Sequence, residues 1–198
     1  EGRDFVTPEE IRDNPFTKKL VKEEVRTRRG MTTKEVEKKQ WMTARHDGSW
    51  TRMDKAFKRA EGLLDGWMRQ HHEKDCYPPT IINITDGAYN GVSDDQMLQL
   101  SNQLGNVLLF NIHVVPGQSE SVVFPATTGE LNGNSDGEHL FHLSSLLPLN
   151  YNDQIRTLFG DKQADIRYRA MGVNTGMECL VKMMKIGTLS SMMVNPNT

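Results

Sequence analysis

The apolar positions of this chain fall into two kinds of run. From Met53, the residues Ala56, Phe57, Ala60, Leu63, Leu64, Trp67 and Met68 recur at i, i+3, i+4 and i+7. That is the stripe of an amphipathic helix, and it predicts a helix from Met53 to about His71, ended before Pro78. Thr51 followed by Asp54 resembles a capping box, with Asp in the place of the usual Glu or Gln. The other kind of run is short and almost continuous. Ile81, Ile82 and Ile84 lie in PPTIINITDGAY, and Val107 to Val115 reads VLLFNIHVV. Such β-branched runs suit strands buried on both faces of a parallel sheet.

Between and after these runs the pattern alternates. Ser93 or Asp94 opens a second helix with Met97, Leu98, Leu100 and Leu104 on its apolar side, and Gly105 closes it. Ser121 to Pro125, SVVFP, predicts a short third strand or edge segment. Helices are expected from His139 to Leu147, stopped by Pro148, and from Tyr151 to Phe159. Asp161 to Gly172 is polar and reads as an exposed loop. Thr175 and Glu178 form a capping box for a last helix striped by Met177, Leu180, Val181 and Met184 and stopped at Gly187. Strand, helix, strand in repetition implies an α/β fold with a mostly parallel sheet.

The first residues differ. Thr7-Pro8-Glu9-Glu10 has a capping residue, a proline at the first helical position and acids in the first turn, and Asn14-Pro15 ends the short helix this implies. From Thr17 to Gln40 helix formers dominate, but the apolar stripe of Leu20, Val21, Val25, Met31 and Val36 is thin and Gly30 interrupts it. An exposed, partly helical excursion is the expectation, so the chain divides into residues 1–46 and an α/β domain over 47–198.

Composition adds limits. A length of 198 residues fits one domain with an appendage. No apolar run reaches the roughly 18 residues of a membrane-spanning helix. Cys76 and Cys179 are too few for a disulfide framework or a zinc-ligand pattern, which makes a reducing cytoplasm the default expectation. The net charge of −2 hides an asymmetry: Thr17 to Arg45 holds ten basic and four acidic residues, a net +6, leaving −8 elsewhere. A basic segment of this kind keeps nucleic-acid or polyanion binding open as an alternative function, although no aromatic platform is interleaved with it.

The candidate chemistry lies at the ends of the predicted elements. Asp86 closes the isoleucine strand, and ligands of open α/β sheets bind in the crevice beyond such strand ends. Thr51 begins the helix that leads back to that strand. A hydroxyl and a carboxylate are hard oxygen ligands that suit Mg²⁺ or Ca²⁺. The plainer readings are that Asp86-Gly87 is a turn and Thr51 a helix cap. His139 and His142 have zinc spacing but no third ligand stands out. There is no P-loop, dinucleotide fingerprint or nucleophile elbow. A hydrolase using Asp86 and a metal-bound water is a second alternative, without a general base or second carboxylate nearby in sequence. No catalytic constellation is visible, so the chain reads as a binding protein.

The blocks GSWTRMDKAFKRAEGLLDGW, PPTIINITDG, GNVLLFNIHV, SVVFPA, HLFHLSSLLP and GMECLVKMMKIGT, in that order, resemble bacterial von Willebrand factor type A (VWA) domains over about Gly48 to Thr188. The resemblance implies a Rossmann-like, three-layer α/β/α domain with a mostly parallel central sheet. It also implies a metal-ion-dependent adhesion site that binds Mg²⁺, or Ca²⁺ or Mn²⁺ in its place. A protein partner's carboxylate completes the coordination there. Thr51 matches the family's threonine motif and Asp86 its strand-end aspartate. The family's remaining motif is D-x-S-x-S after its first strand. Asp47-Gly48-Ser49-Trp50-Thr51 has the related spacing D-x-S-x-T, which adds Asp47 and Ser49 as candidate ligands. However, Thr43 to His46 is no buried strand, and the 35 positions from Thr51 to Asp86 leave room for one helix only. The simpler expectation is a chain that begins after the family's first strand, with an incomplete metal site.

Overall fold

The computed structural model describes residues 5–28, 30–41, 50–71, 79–117 and 120–187. The chain divides into two units, Glu1–Ser49 and Trp50–Thr198.

The first unit is a short helix and a β-ribbon. Helix α1, Pro8–Asp13, has the capping box expected of it: Thr7 Oγ1 accepts from the Glu10 N–H and the Glu10 carboxylate accepts from the Thr7 N–H. The stretch expected to be partly helical is instead an antiparallel pair, β1 (Thr17–Thr27) and β2 (Gly30–Gln40), in register from Thr17↔Gln40 to Thr27↔Gly30. Helix propensity is a weak prior, and here the cross-strand pairs outweigh it. Val21 faces Val36 and Val25 faces Thr32, the β-branched pairs that stabilise a ladder. Gly30 has φ +121, a conformation that L side chains rarely adopt, at the start of the return strand.

The register also places acids opposite bases, Lys22↔Glu35 and Glu23↔Lys34, and adds the ion pairs Lys18–Glu37 at 3.4 Å and Lys38–Glu23 at 2.5 Å. Glu23, Glu35 and Glu37 are thus matched to bases, while Lys18 faces Lys39 and Lys19 faces Lys38, so the net positive charge remains. The Trp41 indole N–H donates to the Ile11 carbonyl and Lys39 Nζ to the Arg12 carbonyl, joining ribbon and α1. No described residue of this unit is buried.

The second unit is α/β. Its elements are α2 (Met53–Gln70), β3 (Thr80–Thr85), α3 (Asp94–Gln103), β4 (Leu108–His113), β5 (Val122–Val123), α4 (Ser135–Leu143), α5 (Asn152–Phe159), β6 (Met171–Val173) and α6 (Met177–Gly187). The open sheet has the order β3-β4-β6-β5; the first three strands are parallel and β5 runs antiparallel to β6. Two core clusters share its strands. Leu109, Met171 and Val173 pack with Met53, Phe57, Met97, Leu140 and Phe141, whereas Phe110, Ile112 and Ala170 pack with Phe124, Tyr151, Ile155, Met183 and Ile186.

Alternation along β4 explains both clusters, because successive side chains point to opposite faces. Asn111, buried in mid-strand, is satisfied: its amide donates to Ser144 Oγ at 3.0 Å and to the Leu140 carbonyl, and its oxygen accepts from Asn83 Nδ2 at 2.8 Å. A satisfied polar pair inside an apolar ladder helps fix the strand register.

Several boundaries differ from the sequence reading. β3 lies at the sheet edge, not buried on both faces: among the described residues it pairs with β4 alone, and Ile84 is 58% exposed. α4 spans Ser135–Leu143, starting and ending four residues before the expected His139 to Leu147, because Asn134 Oδ1 caps the Gly137 N–H at 2.9 Å. The expected exposed loop after Asp161 includes the buried Tyr168 and Ala170 and leads into β6. Thr175 does not cap α6; its hydroxyl is buried without a partner. Among the described residues no helix is long and apolar enough to cross a membrane.

Candidate functional site

β3 and β4 run parallel, so their carboxyl ends, Thr85 and His113, lie side by side. The site is built on that edge. Asp86 follows β3 directly, with an exposed carboxylate that has no hydrogen-bond or ion-pair partner among the described residues. Its backbone is held firmly. Gly87 N–H donates to Thr85 Oγ1 at 3.1 Å, Val114 N–H donates to the Thr85 carbonyl at 2.8 Å, and the Asp86 carbonyl lies 2.9 Å from His113 Nε2. Gly87 has φ +98, and a Cβ there would lie 2.7 Å from both His113 Nε2 and Asp136 Cβ. Strain and space both require glycine at this position.

Thr51 reaches the same loop from the other side in sequence. Its N–H donates to Asn90 Oδ1 at 3.1 Å, and the Asn90 N–H donates to its carbonyl at 2.9 Å. Thr51 is not the cap of α2. The cap position is Arg52, which makes no side-chain capping bond. Asp54 does not complete a capping box either, because Arg52 takes its carboxylate with Nε and Nη2 at 2.9 and 2.8 Å. A bidentate guanidinium–carboxylate pair is stronger than a single capping bond. Hydrogen bonding from Arg52 holds the Asp54 carboxyl at about 2 against the opposing effect of burial, helped by the Lys55 backbone N–H and the charges of Arg52 and Lys58. Arg52 also lies along Gly91, where a Cβ would come within 3.3 Å of its guanidinium carbon. The Thr51 hydroxyl is left without a partner among the described residues.

Further acids flank the loop. The Tyr89 hydroxyl donates to Asp94, and its ionisation is pushed up by burial, by that hydrogen bond and by the charges of Asp94 and Asp136. His139 Nε2 lies 3.3 Å from an Asp94 carboxylate oxygen. A small cavity of about 130 Å³ is lined by Tyr89, Asp94, Asp95, Leu98, His139, His142 and Leu143.

Of the residues singled out from sequence, the structure joins Thr51 to the Asp86 loop and leaves both side-chain oxygens available. Asp47 and Ser49 lie outside the described residues. Among the described residues no three His, Cys, Asp or Glu side chains converge as a metal-binding group. A hydroxyl and a carboxylate are the donor types that a hard divalent ion takes alongside several waters. Sequence reasoning missed His113 and Asn90. His113 ends the run VLLFNIH, and the rule that led to Asp86, a polar residue at a parallel strand's carboxyl end, applies to it equally. Asn90 was legible only as a turn residue, since its partner is 39 positions away.

Comparison of the chain with protein-family models, curated proteins and solved structures finds no match.

Proposed function

We propose that residues 50–198 form a VWA-like interaction module with a Rossmann-like, three-layer architecture. It holds a divalent cation, Mg²⁺ first, at Asp86 and Thr51 and engages a carboxylate of a protein partner. The observation that carries this reading is the reciprocal Thr51–Asn90 pairing. It ties the segment before α2 to the loop after β3, while the Thr51 hydroxyl and the Asp86 carboxylate stay unpaired on that edge. Both residues are exposed, on backbones that are each hydrogen-bonded, so their side-chain oxygens stay open to a ligand.

When bound, the cation supplies a positive, oxygen-seeking centre that a partner's carboxylate can reach. Asp86 contributes charge, Thr51 a neutral oxygen. The fixed Asp86–Gly87 turn keeps that charge at the sheet edge. Few protein charges on the ion leave it electrophilic toward an incoming carboxylate, which is why an open, water-rich shell suits recognition.

Paramagnetic broadening tests the assignment. Substoichiometric Mn²⁺ should first broaden the amide resonances of Thr51, Arg52 and residues 85–91, and excess Mg²⁺ should restore them. Broadening centred on the ribbon or on the Asp94–His139 pair would overturn the assignment.

A further inference from the structure

We infer that His113 is a positioning residue for Asp86: a latch on β4 that sets the Asp86 main chain, and through it the carboxylate, by one hydrogen bond from Nε2. The role of Asp86 that it serves is the cation-holding one proposed above.

His113 is 1% exposed at the end of β4. Its Nε2 lies 2.9 Å from the Asp86 carbonyl, which can only accept, so that nitrogen carries the proton. The other nitrogen, Nδ1, is buried with no partner, and it faces the first turn of α4, where a Cβ on Gly137 would lie 3.3 Å away. A lone pair fits there, beside the positive end of the helix. A buried imidazole with one unmet nitrogen costs stability. An apolar side chain of similar volume would fill the place at the end of β4 without that cost. What the imidazole adds over such a side chain is the bond to Asp86. The Asp86–Gly87 turn is then held from below by His113 and from within by Thr85 Oγ1. The turn has no room to shift toward the sheet, because Gly87 already abuts His113 and Asp136.

The test uses the full chain. Long-range ¹⁵N–¹H spectra of the wild-type imidazoles at pH 8 should show His113 as the Nε2–H tautomer with a slowly exchanging proton. An Nδ1–H tautomer would overturn the assignment, and this arm needs no variant to fold. His113→Gln keeps a donor near the Nε2 position and His113→Leu fills the space without one. Amide exchange over residues 86–91 should stay near wild type in the Gln variant and quicken about tenfold in the Leu variant, the scale of one hydrogen bond. Equal exchange in the two variants would show His113 to be core filling only. These readouts need no cation. A wild type that binds no Mg²⁺ but shows the latch would therefore end the cation reading alone.

Discussion

Thr51 and Asn90 hold each other by two backbone-directed hydrogen bonds, 3.1 Å from the Thr51 N–H to Asn90 Oδ1 and 2.9 Å from the Asn90 N–H to the Thr51 carbonyl. One bond needs the Asn90 side chain and the other does not. Asn90→Ala should therefore loosen the Thr51 segment without unfolding the unit. The expected cost is about 1 kcal/mol in chemical denaturation, the net worth of one such bond, together with weaker Mg²⁺ binding. Asn90→Asp keeps the acceptor and should restore both. A wild-type Mg²⁺ affinity in Asn90→Ala would separate the pairing from the site.

The Arg52–Asp54 pair gives a pH dependence of known sign. Hydrogen bonding from Arg52 holds the Asp54 carboxyl at about 2, below the unfolded value of about 4. The unfolded chain binds the proton more readily, so the pair's stabilisation is present above about pH 4 and is lost as pH falls toward about 2. Denaturation midpoints across this range should fall less steeply for Asp54→Asn than for wild type. Parallel curves would show that the pair does not couple to folding.

The ribbon's cross-strand charges predict weak polyanion binding. Lys22 lies opposite Glu35, Glu23 opposite Lys34, and Lys18 and Lys38 are in ion pairs, which leaves Lys19, Arg26, Arg28 and Lys39 among the described ribbon residues without an acid opposite. Retention of duplex DNA should be lost well below about 0.15 M salt, since few phosphates can be neutralised at once. Tight retention at that salt, abolished by replacing Arg26 and Arg28 with Ala, would restore the nucleic-acid alternative.

The helices of the second unit were legible where a periodic stripe or a cap was strong. The run from Met53 ends with the cap at His71, and Ser93, one of the two residues expected to open α3, caps it with Gln96 completing a capping box. β4 was legible because its run is nearly continuous in apolar residues, broken only by Asn111 and His113. β6 was not, because Met171–Val173 is three residues long and takes its identity from pairing with β4, a contact no local pattern records. The ribbon was misread for a related reason. Lys, Glu and Arg favour helix weakly, whereas Val21↔Val36 and Val25↔Thr32 act only once the strands have met. At the site, Asp86 could be placed from the strand that precedes it. The bonds that hold it come from His113, 27 positions on, and Thr51 is held by Asn90, so those links are properties of the fold.

Asp86 itself makes the most direct test. Its carboxylate is exposed and unpaired, so Asp86→Ala should leave the denaturation midpoint near that of wild type, within the about 0.5 kcal/mol usual for surface changes. Calorimetric titration with Mg²⁺ and Mn²⁺ should give a saturable isotherm for the wild type and none for Asp86→Ala. Thr51→Ala should weaken the isotherm less, since it removes a neutral ligand. Equal cation affinity in wild type and Asp86→Ala would contradict the account and leave Asp86 as the first residue of a turn.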